Sequence, residues 1–258
     1  MSVDYHLADK VVLITGVSRK AGLGAALARG FAEAGAKVFA TYYRPYDRLM
    51  SYGSNEEEAT ELLAELRRGG GSTAGMEADL SDPDTPSQVF DAAEAAFGGV
   101  DILINNATHD LKADVQTLTA ATLDAHYAVN LRGTALLCVE FARRWRGRSG
   151  GRILSLTSGQ GLEPMPDSLP YVMTKAAVEA LTRSMSVTLV GRGITANAVD
   201  PGATDTGWMT DDLRSRLASA SPSGRVGLPE DAVRLILFLA SAQADWITGQ
   251  TIHSRGGS

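Results

Sequence analysis

The sequence predicts a single doubly wound α/β domain, a parallel sheet of seven strands with helices on both faces. Three observations carry this. Short β-rich runs alternate with longer helical stretches along the chain, which implies parallel strands joined by right-handed crossovers. Several β runs are continuously apolar, such as Val11-Val12-Leu13-Ile14 and Ile102-Leu103-Ile104, as strands buried on both faces are. No internal repeat and no dividing linker interrupts the rhythm over 258 residues, a length that suits one such domain.

In chain order, a strand over 10–15 runs into the turn Thr15-Gly16-Val17-Ser18-Arg19-Lys20-Ala21-Gly22-Leu23-Gly24, which opens a helix over 23–34. A strand over 37–43 ends in Tyr42-Tyr43-Arg44 and leads into a polar, aromatic insert over 44–55, then a helix over 56–68. Strands over 72–77 and 100–105 flank a helix over 86–97, and a long helix is expected over 120–148. The strand over 151–157 delivers Ser158, and a helix over 171–190 starts at Tyr171. The strand over 194–199 leads into a second irregular segment, 201–222, before a helix over 229–240 and a last strand over 248–253. Ligands of such folds sit outside the carboxyl ends of the strands. Both irregular segments emerge at that edge.

Composition narrows the function classes. Lys plus Arg number 24 and Asp plus Glu 30, so the formal charge is −6; this argues against nucleic acid or an anionic membrane as the main partner. An apolar share of 44% is too high for a disordered chain. Apolar runs such as Leu235-Ile236-Leu237-Phe238-Leu239-Ala240 fall short of a bilayer span. The start Met1-Ser2-Val3-Asp4-Tyr5 has no basic, apolar export pattern. The lone Cys138 has no intramolecular disulfide partner and reads as a buried small hydrophobe. A cytoplasmic protein is expected.

The glycine-rich turn, placed between a first strand and a helix, suits a dinucleotide pyrophosphate: glycines let backbone N–H groups approach it, and the helix N-terminus attracts it. A plain tight turn is the competing reading. Sites for NAD usually end the second strand in an acidic residue. Here that strand ends in Tyr43 and Arg44, and the turn supplies Arg19 and Lys20. These cations favour a 2′-phosphate, hence NADP(H) over NAD(H), unless they are merely solvated loop charges.

Tyr171 and Lys175, four residues apart, share one helical face. A phenol with an ordinary pKa near 10 needs a neighbouring ammonium to act as an acid–base near neutrality. Ser158, 13 residues earlier, is expected at the same edge, where it and Tyr171 could polarise a carbonyl while a nicotinamide delivers hydride. The alternative is Tyr171 capping a core while Lys175 reaches for water.

On these residues the chain resembles a short-chain dehydrogenase/reductase of the short single-domain branch, over essentially its whole length. The resemblance rests on the glycine turn, Ala78-Asp79-Leu80, Asn105-Asn106-Ala107-Thr108, Asn130 in Val129-Asn130-Leu131-Arg132-Gly133, Ser158, Tyr171 with Lys175, Pro201-Gly202, and Arg225-Val226-Gly227-Leu228-Pro229-Glu230-Asp231. It implies a Rossmann-type fold, Tyr171 as the acid–base, Lys175 lowering its pKa and holding the nicotinamide ribose, and Ser158 polarising the carbonyl. It further implies a proton-relay water held by Asn130 through a local helix distortion. Cofactor contacts are implied for Gly16, Ser18, Arg19, Lys20, Gly22, Leu23, Gly24, Tyr43, Arg44, Asp79, Leu80, Asn106, Ala107, Thr108, Pro201, Gly202, Thr204 and Thr206, besides Tyr171 and Lys175. Asp79 would meet the adenine, Asn106 and Ala107 the adenosine ribose, and the 201–206 turn the nicotinamide end. Assembly as a homotetramer is also implied.

The chain departs from the family pattern in places. Gly16 and Gly22 enclose five residues where three are usual. The divergent enoyl-thioester reductases share such an extension but space Tyr and Lys by seven; the spacing of four here, with Ser158, points to carbonyl rather than C=C reduction. Thr108 stands where Gly is common, and Asp200 precedes Pro201 where a small or neutral residue is common. The insert and the ending Thr251-Ile252-His253-Ser254-Arg255-Gly256-Gly257 resemble a bacterial subgroup labelled 3-oxoacyl-carrier-protein reductase.

Four histidines, His6, His109, His126 and His253, show no metal-ligand spacing and read as surface or loop residues, with His109, on the expected nicotinamide side, kept as the one candidate for a site role. The basic run Arg143-Arg144-Trp145-Arg146-Gly147-Arg148 suits a helix C-terminus. Gln160, Leu162, Pro164, Met165, Trp208 and Met209 as a group suggest a largely apolar substrate wall, with packing or an interface as the equal alternative for Trp208 and Met209. Two other functions compete with a ketoreductase: a nucleotide-sensing scaffold without turnover, and a sugar-nucleotide dehydratase or epimerase, for whose extra substrate domain the chain has no room.

Overall fold

The computed structural model describes residues 4–50, 53, 55 and 57–257. Met1–Val3 of the export reading, parts of the 44–55 insert and the expected helix start at Glu56 lie outside them.

Seven strands form one parallel sheet: β1 Val11–Ile14, β2 Lys37–Tyr42, β3 Thr73–Glu77, β4 Ile102–Asn105, β5 Gly151–Leu156, β6 Ile194–Asp200 and β7 Thr251–His253. Their order is β3-β2-β1-β4-β5-β6-β7. Val12 pairs with Val38 on one side and Ile102 on the other, so the chain reverses its direction of travel at β1/β4, where a ligand crevice is expected.

The continuous apolar runs divide between two cores. Val12 and Ile14 join Ile102 and Ile104 in a cluster under α1 (Leu23–Glu33), α3 (Glu58–Arg68) and α9 (Pro229–Ala240). Leu13 and Leu103 join the opposite cluster, under α4 (Thr85–Phe97), α6 (Thr134–Arg144) and α7 (Leu169–Leu189). Alternate side chains leave opposite faces of a strand, so both faces must be apolar when both are covered.

Three elements differ from expectation. The helix expected over 120–148 is α5 (Ala120–His126), a π-helical segment (Tyr127–Gly133) and α6, which stops at Arg144. Its basic end is ion-paired: Arg144 reaches Asp91 and Glu94 of α4 as well as Glu140. The insert after β2 holds a short helix, α2 (Arg44–Asp47). The 201–222 segment holds α8 (Asp211–Ala220), capped by Thr210, whose Oγ1 accepts from the Leu213 amide. No α8 residue is buried, so it carries no apolar stripe for sequence to reveal.

Candidate active site

A cavity of about 920 Å³ opens at the carboxyl edge of the sheet, between the loops after β1, β2, β4, β5 and β6. One end is built by the glycine turn. Gly16 adopts a positive φ of 76°, and a Cβ there would lie 2.7 Å from the Ala107 Cα. A Cβ at Gly24 would lie 2.3 Å from the Gly16 carbonyl oxygen, so the first turn of α1 seats directly on the loop. Thr15 Oγ1 accepts from the Asn106 and Ala107 amides, and Asn106 Nδ2 donates to the Thr15 and Gly16 carbonyls. The Asn106 amide is therefore spent on fixing the turn. The N-terminus of α1 has no acidic residue in its first turn. Its free N–H groups and dipole fit a phosphate anion, and the turn is a fitting cradle for a dinucleotide.

Of the implied cofactor residues, Gly16, Ser18, Arg19, Gly22, Leu23, Gly24, Tyr43, Asp79, Leu80, Asn106, Ala107, Thr108, Pro201, Gly202, Thr204 and Thr206 line the cavity. Lys20 and Arg44 do not. Lys20 turns to α3, its ammonium 2.9 Å from Glu61 and 2.7 Å from Glu65. Arg44 turns to β3, where it holds the Glu77 carboxylate and drives its pKa down. The sequence reading finds no carboxylate at the end of β2. One arrives there from β3, since Glu77 pairs in register with Tyr42; cross-strand register is invisible in one strand's sequence. Arg19 bridges the loops after β1 and β6, its Nη1 donating to the Thr206 carbonyl at 3.2 Å. Ser18 Oγ accepts from the Tyr43 amide, and the Tyr43 phenol, raised by burial, bonds Asp79.

At the other end Ser158, Tyr171 and Lys175 line the same wall. The ammonium of the buried Lys175 donates to the Leu156 carbonyl at 2.8 Å and lies 5.6 Å from the Tyr171 ring centre. Burial lowers Lys175 to about 8. Burial and the Asp110 charge push the Tyr171 phenol up, against a hydrogen bond from Ser158 that draws it down. The expected helix distortion is the π segment, and Asn130 sits within it, 1% exposed. Its Oδ1 accepts from the His109 amide (2.7 Å) and Thr108 Oγ1 (3.2 Å), while its Nδ2 donates to the His109 carbonyl (2.9 Å) and Thr174 Oγ1 (3.1 Å). Asn130 thus clips the loop after β4 to the residue preceding Lys175. Thr108, in the place of the common glycine, serves this clip.

Of the histidines, His126 departs from the surface or loop expectation, whereas His109 lies in the loop after β4. His126 is fully buried: Nδ1–H donates to the Thr122 carbonyl and Nε2 accepts from the Leu111 amide. His109 lines the cavity, its ring 4.7 Å from His126 and 5.0 Å from Tyr46. Burial, then His126, lowers it to about 4. Among the described residues no His, Cys, Asp and Glu cluster suits a metal ion, and no helix is long and apolar enough to cross a membrane. Cys138 is buried, its thiol pushed up to about 12.

Of the six residues considered for the substrate wall, only Met165 and Trp208 line the cavity. Gln160 donates to Thr157 at 3.4 Å, Leu162 is exposed, and Met209 is buried. The apolar lining comes mainly from other residues, among them Pro45, Leu49, Met50 and Val129, and Asp110, Lys112, Glu163, Ser168 and Arg255 add polar groups to the same cavity. Loops far apart in sequence supply these groups, so no motif marks them.

Known proteins are similar to the chain over nearly its whole length. The family model described as "Enoyl-(Acyl carrier protein) reductase" matches residues 16–258. The chain is 44% identical over 254 residues to the "Uncharacterized oxidoreductase YjdA" of Bacillus subtilis, covering 98% of each chain. It is 34% identical over 257 residues to 3beta-hydroxysteroid dehydrogenase 1 of Eggerthella lenta, covering 97% of this chain and 94% of that one. A crystal structure of a short chain dehydrogenase from Burkholderia cenocepacia in complex with NADP aligns with a TM-score of 0.86 at 31% identity, over 97% of this chain and 98% of that one.

Proposed function

The chain belongs to the short-chain dehydrogenase/reductase family, and on that premise we propose that it interconverts a ketone and a secondary alcohol with NADP(H). The observation that carries the reading is the convergence of Ser158, Tyr171 and Lys175 on one wall of a cavity whose far end is the glycine turn. NADPH, when bound along that cavity, supplies the hydride. Tyr171 gives its proton to the carbonyl oxygen as the ketone becomes an alcohol, and takes it back in oxidation. Ser158 bonds the same oxygen and draws charge towards it. Lys175 favours the phenolate electrostatically. The π segment around Asn130 is assigned a water through which Lys175 exchanges protons with solvent; π segments recur at functional sites.

Arg19 on the cavity wall supports the preference for NADP(H), with Glu77 neutralised by Arg44. The Tyr–Lys spacing of four supports carbonyl over C=C chemistry. Exposed Met173 and Val187 on α7, Val190 just past its end, and Trp246 support assembly with further copies of the chain as a homotetramer.

The test is a steady-state screen of ketones, 3-oxoacyl thioesters and hydroxysteroid-like alcohols with NADP(H) and NAD(H) in parallel. Turnover with NADP(H) that is lost in Tyr171→Phe is the expected result. Tight NADPH binding without turnover across the panel would overturn it in favour of a nucleotide-sensing scaffold.

A further inference from the structure

Asp200 ends β6 fully buried, 1% exposed, at the same edge as the catalytic wall. An unpaired carboxylate in such a place is costly. Its Oδ1 accepts from the Gly202 amide at 2.9 Å; its Oδ2 meets His253 Nδ1 at 2.9 Å and Arg255 Nη1 at 3.2 Å. Arg255 reaches on to Glu163, in the segment after Ser158, through Nη2 at 2.6 Å. Its side chain is only 10% exposed, and the residue lines the cavity. The fit is tight on both sides. A Cβ at Gly159 would fall 1.9 Å from Arg255 Nη1, and one at Gly202 would fall 3.1 Å from the Arg255 Cα. The tail residue is thus wedged between the backbone following Ser158 and the turn following Asp200.

We propose that Arg255 is a positioning residue for proton transfer: it cancels the buried Asp200 charge beside the catalytic wall and braces the Ser158 loop against the Pro201-Gly202 turn. The inference rests on Tyr171 being the proton-transfer group. Charges and polar groups face that phenol from several elements: Asp110 and neutral His109 from the loop after β4, Tyr46 from α2, Lys175 from α7, Ser158 from the loop after β5, and Asp200 from β6. Asp200 disfavours the phenolate. His253 offsets Asp200 only when protonated, whereas an arginine is cationic at every working pH. Arg255 is therefore the constant counter-charge. Asp200 and Arg255 are each an unremarkable charge in the sequence; only the fold makes them one unit.

The test compares Arg255→Gln, Arg255→Lys, Asp200→Asn and the Arg255→Gln/Asp200→Asn double variant. Each is read as the tyrosinate difference absorbance against its own Tyr171→Phe version, with and without NADP⁺, and as the pH profile of 1-phenylethanol oxidation. Loss of Arg255 should move the Tyr171 midpoint up by about one pH unit. Asp200→Asn, which keeps an acceptor for Gly202, should move it down. Arg255→Lys should stay near wild type, and the double variant should return towards it. A merely structural wedge would leave the midpoint in place while activity falls equally in Arg255→Gln and the double variant, and that result overturns the proposal. Should Arg255→Gln not fold, the double variant decides: a midpoint near wild type is expected, and one as low as that of Asp200→Asn alone overturns the proposal. Ketone turnover surviving in Tyr171→Phe would instead refute the catalytic reading, whatever these midpoints do.

Discussion

The ammonium of Lys175 sits 5.6 Å from the centre of the Tyr171 ring, yet its hydrogen bond goes to the Leu156 carbonyl 2.8 Å away. The sheet, through β5, aims the cation at the phenol without binding it to the phenol oxygen. The same burial that makes this field strong makes the charge expensive, and Lys175 is lowered to about 8.

That burial has a consequence for stability. The unfolded chain holds the Lys175 proton more tightly than the folded one, so stability rises as pH climbs through the window above about 8. Above pH 10 Tyr171 opposes this, because the folded state keeps its phenol protonated. Urea unfolding between pH 8 and 10 should therefore show wild type gaining about 2 kcal/mol relative to Lys175→Met. Parallel stability curves would contradict a desolvated Lys175.

The glycine turn allows no methyl group at Gly24, where a Cβ would fall 2.3 Å from the Gly16 carbonyl oxygen. Gly24→Ala should cost about 1–3 kcal/mol and displace α1 from the turn. Thermal melting and quenching or enhancement of NADPH fluorescence measure the two effects; binding should be lost before the fold is.

The two cations of the turn part company. Arg19 lines the cavity, whereas Lys20 is held by Glu61 and Glu65. Arg19→Ala should weaken NADPH about tenfold more than NADH, roughly 1.4 kcal/mol of discrimination. Lys20→Ala should leave the NADPH/NADH ratio alone. Titration calorimetry with both nucleotides distinguishes them.

Asn130 makes four hydrogen bonds across three segments. Asn130→Ala strips half-buried partners in the 108–109 loop and the buried Thr174 hydroxyl of their bonds, and should cost about 2–3 kcal/mol in urea unfolding. It should also lower kcat more than it alters nucleotide affinity, since the clip lies at the Lys175 end of the cavity.

Sequence carried the sheet almost entirely, because strands covered on both faces must be continuously apolar, as Val11–Ile14 is. The glycine turn and the Ser158, Tyr171 and Lys175 set were legible because each depends on local spacing after a strand or along one helix. What stayed hidden was set between elements. Glu77 reaches the end of β2 only by parallel register; Asp200, Glu163 and Arg255 meet only once β6 and the tail lie beside the Ser158 loop. Helix α8 escaped notice because it buries nothing, and the direction of Lys20 depends on α3 packing near the turn.

The most direct measurement is kcat/KM for Tyr171→Phe on the best ketone of the panel with NADPH, alongside NADPH affinity. A loss of at least about a hundredfold in turnover, with affinity near wild type, is the predicted result. Turnover equal to wild type would contradict it.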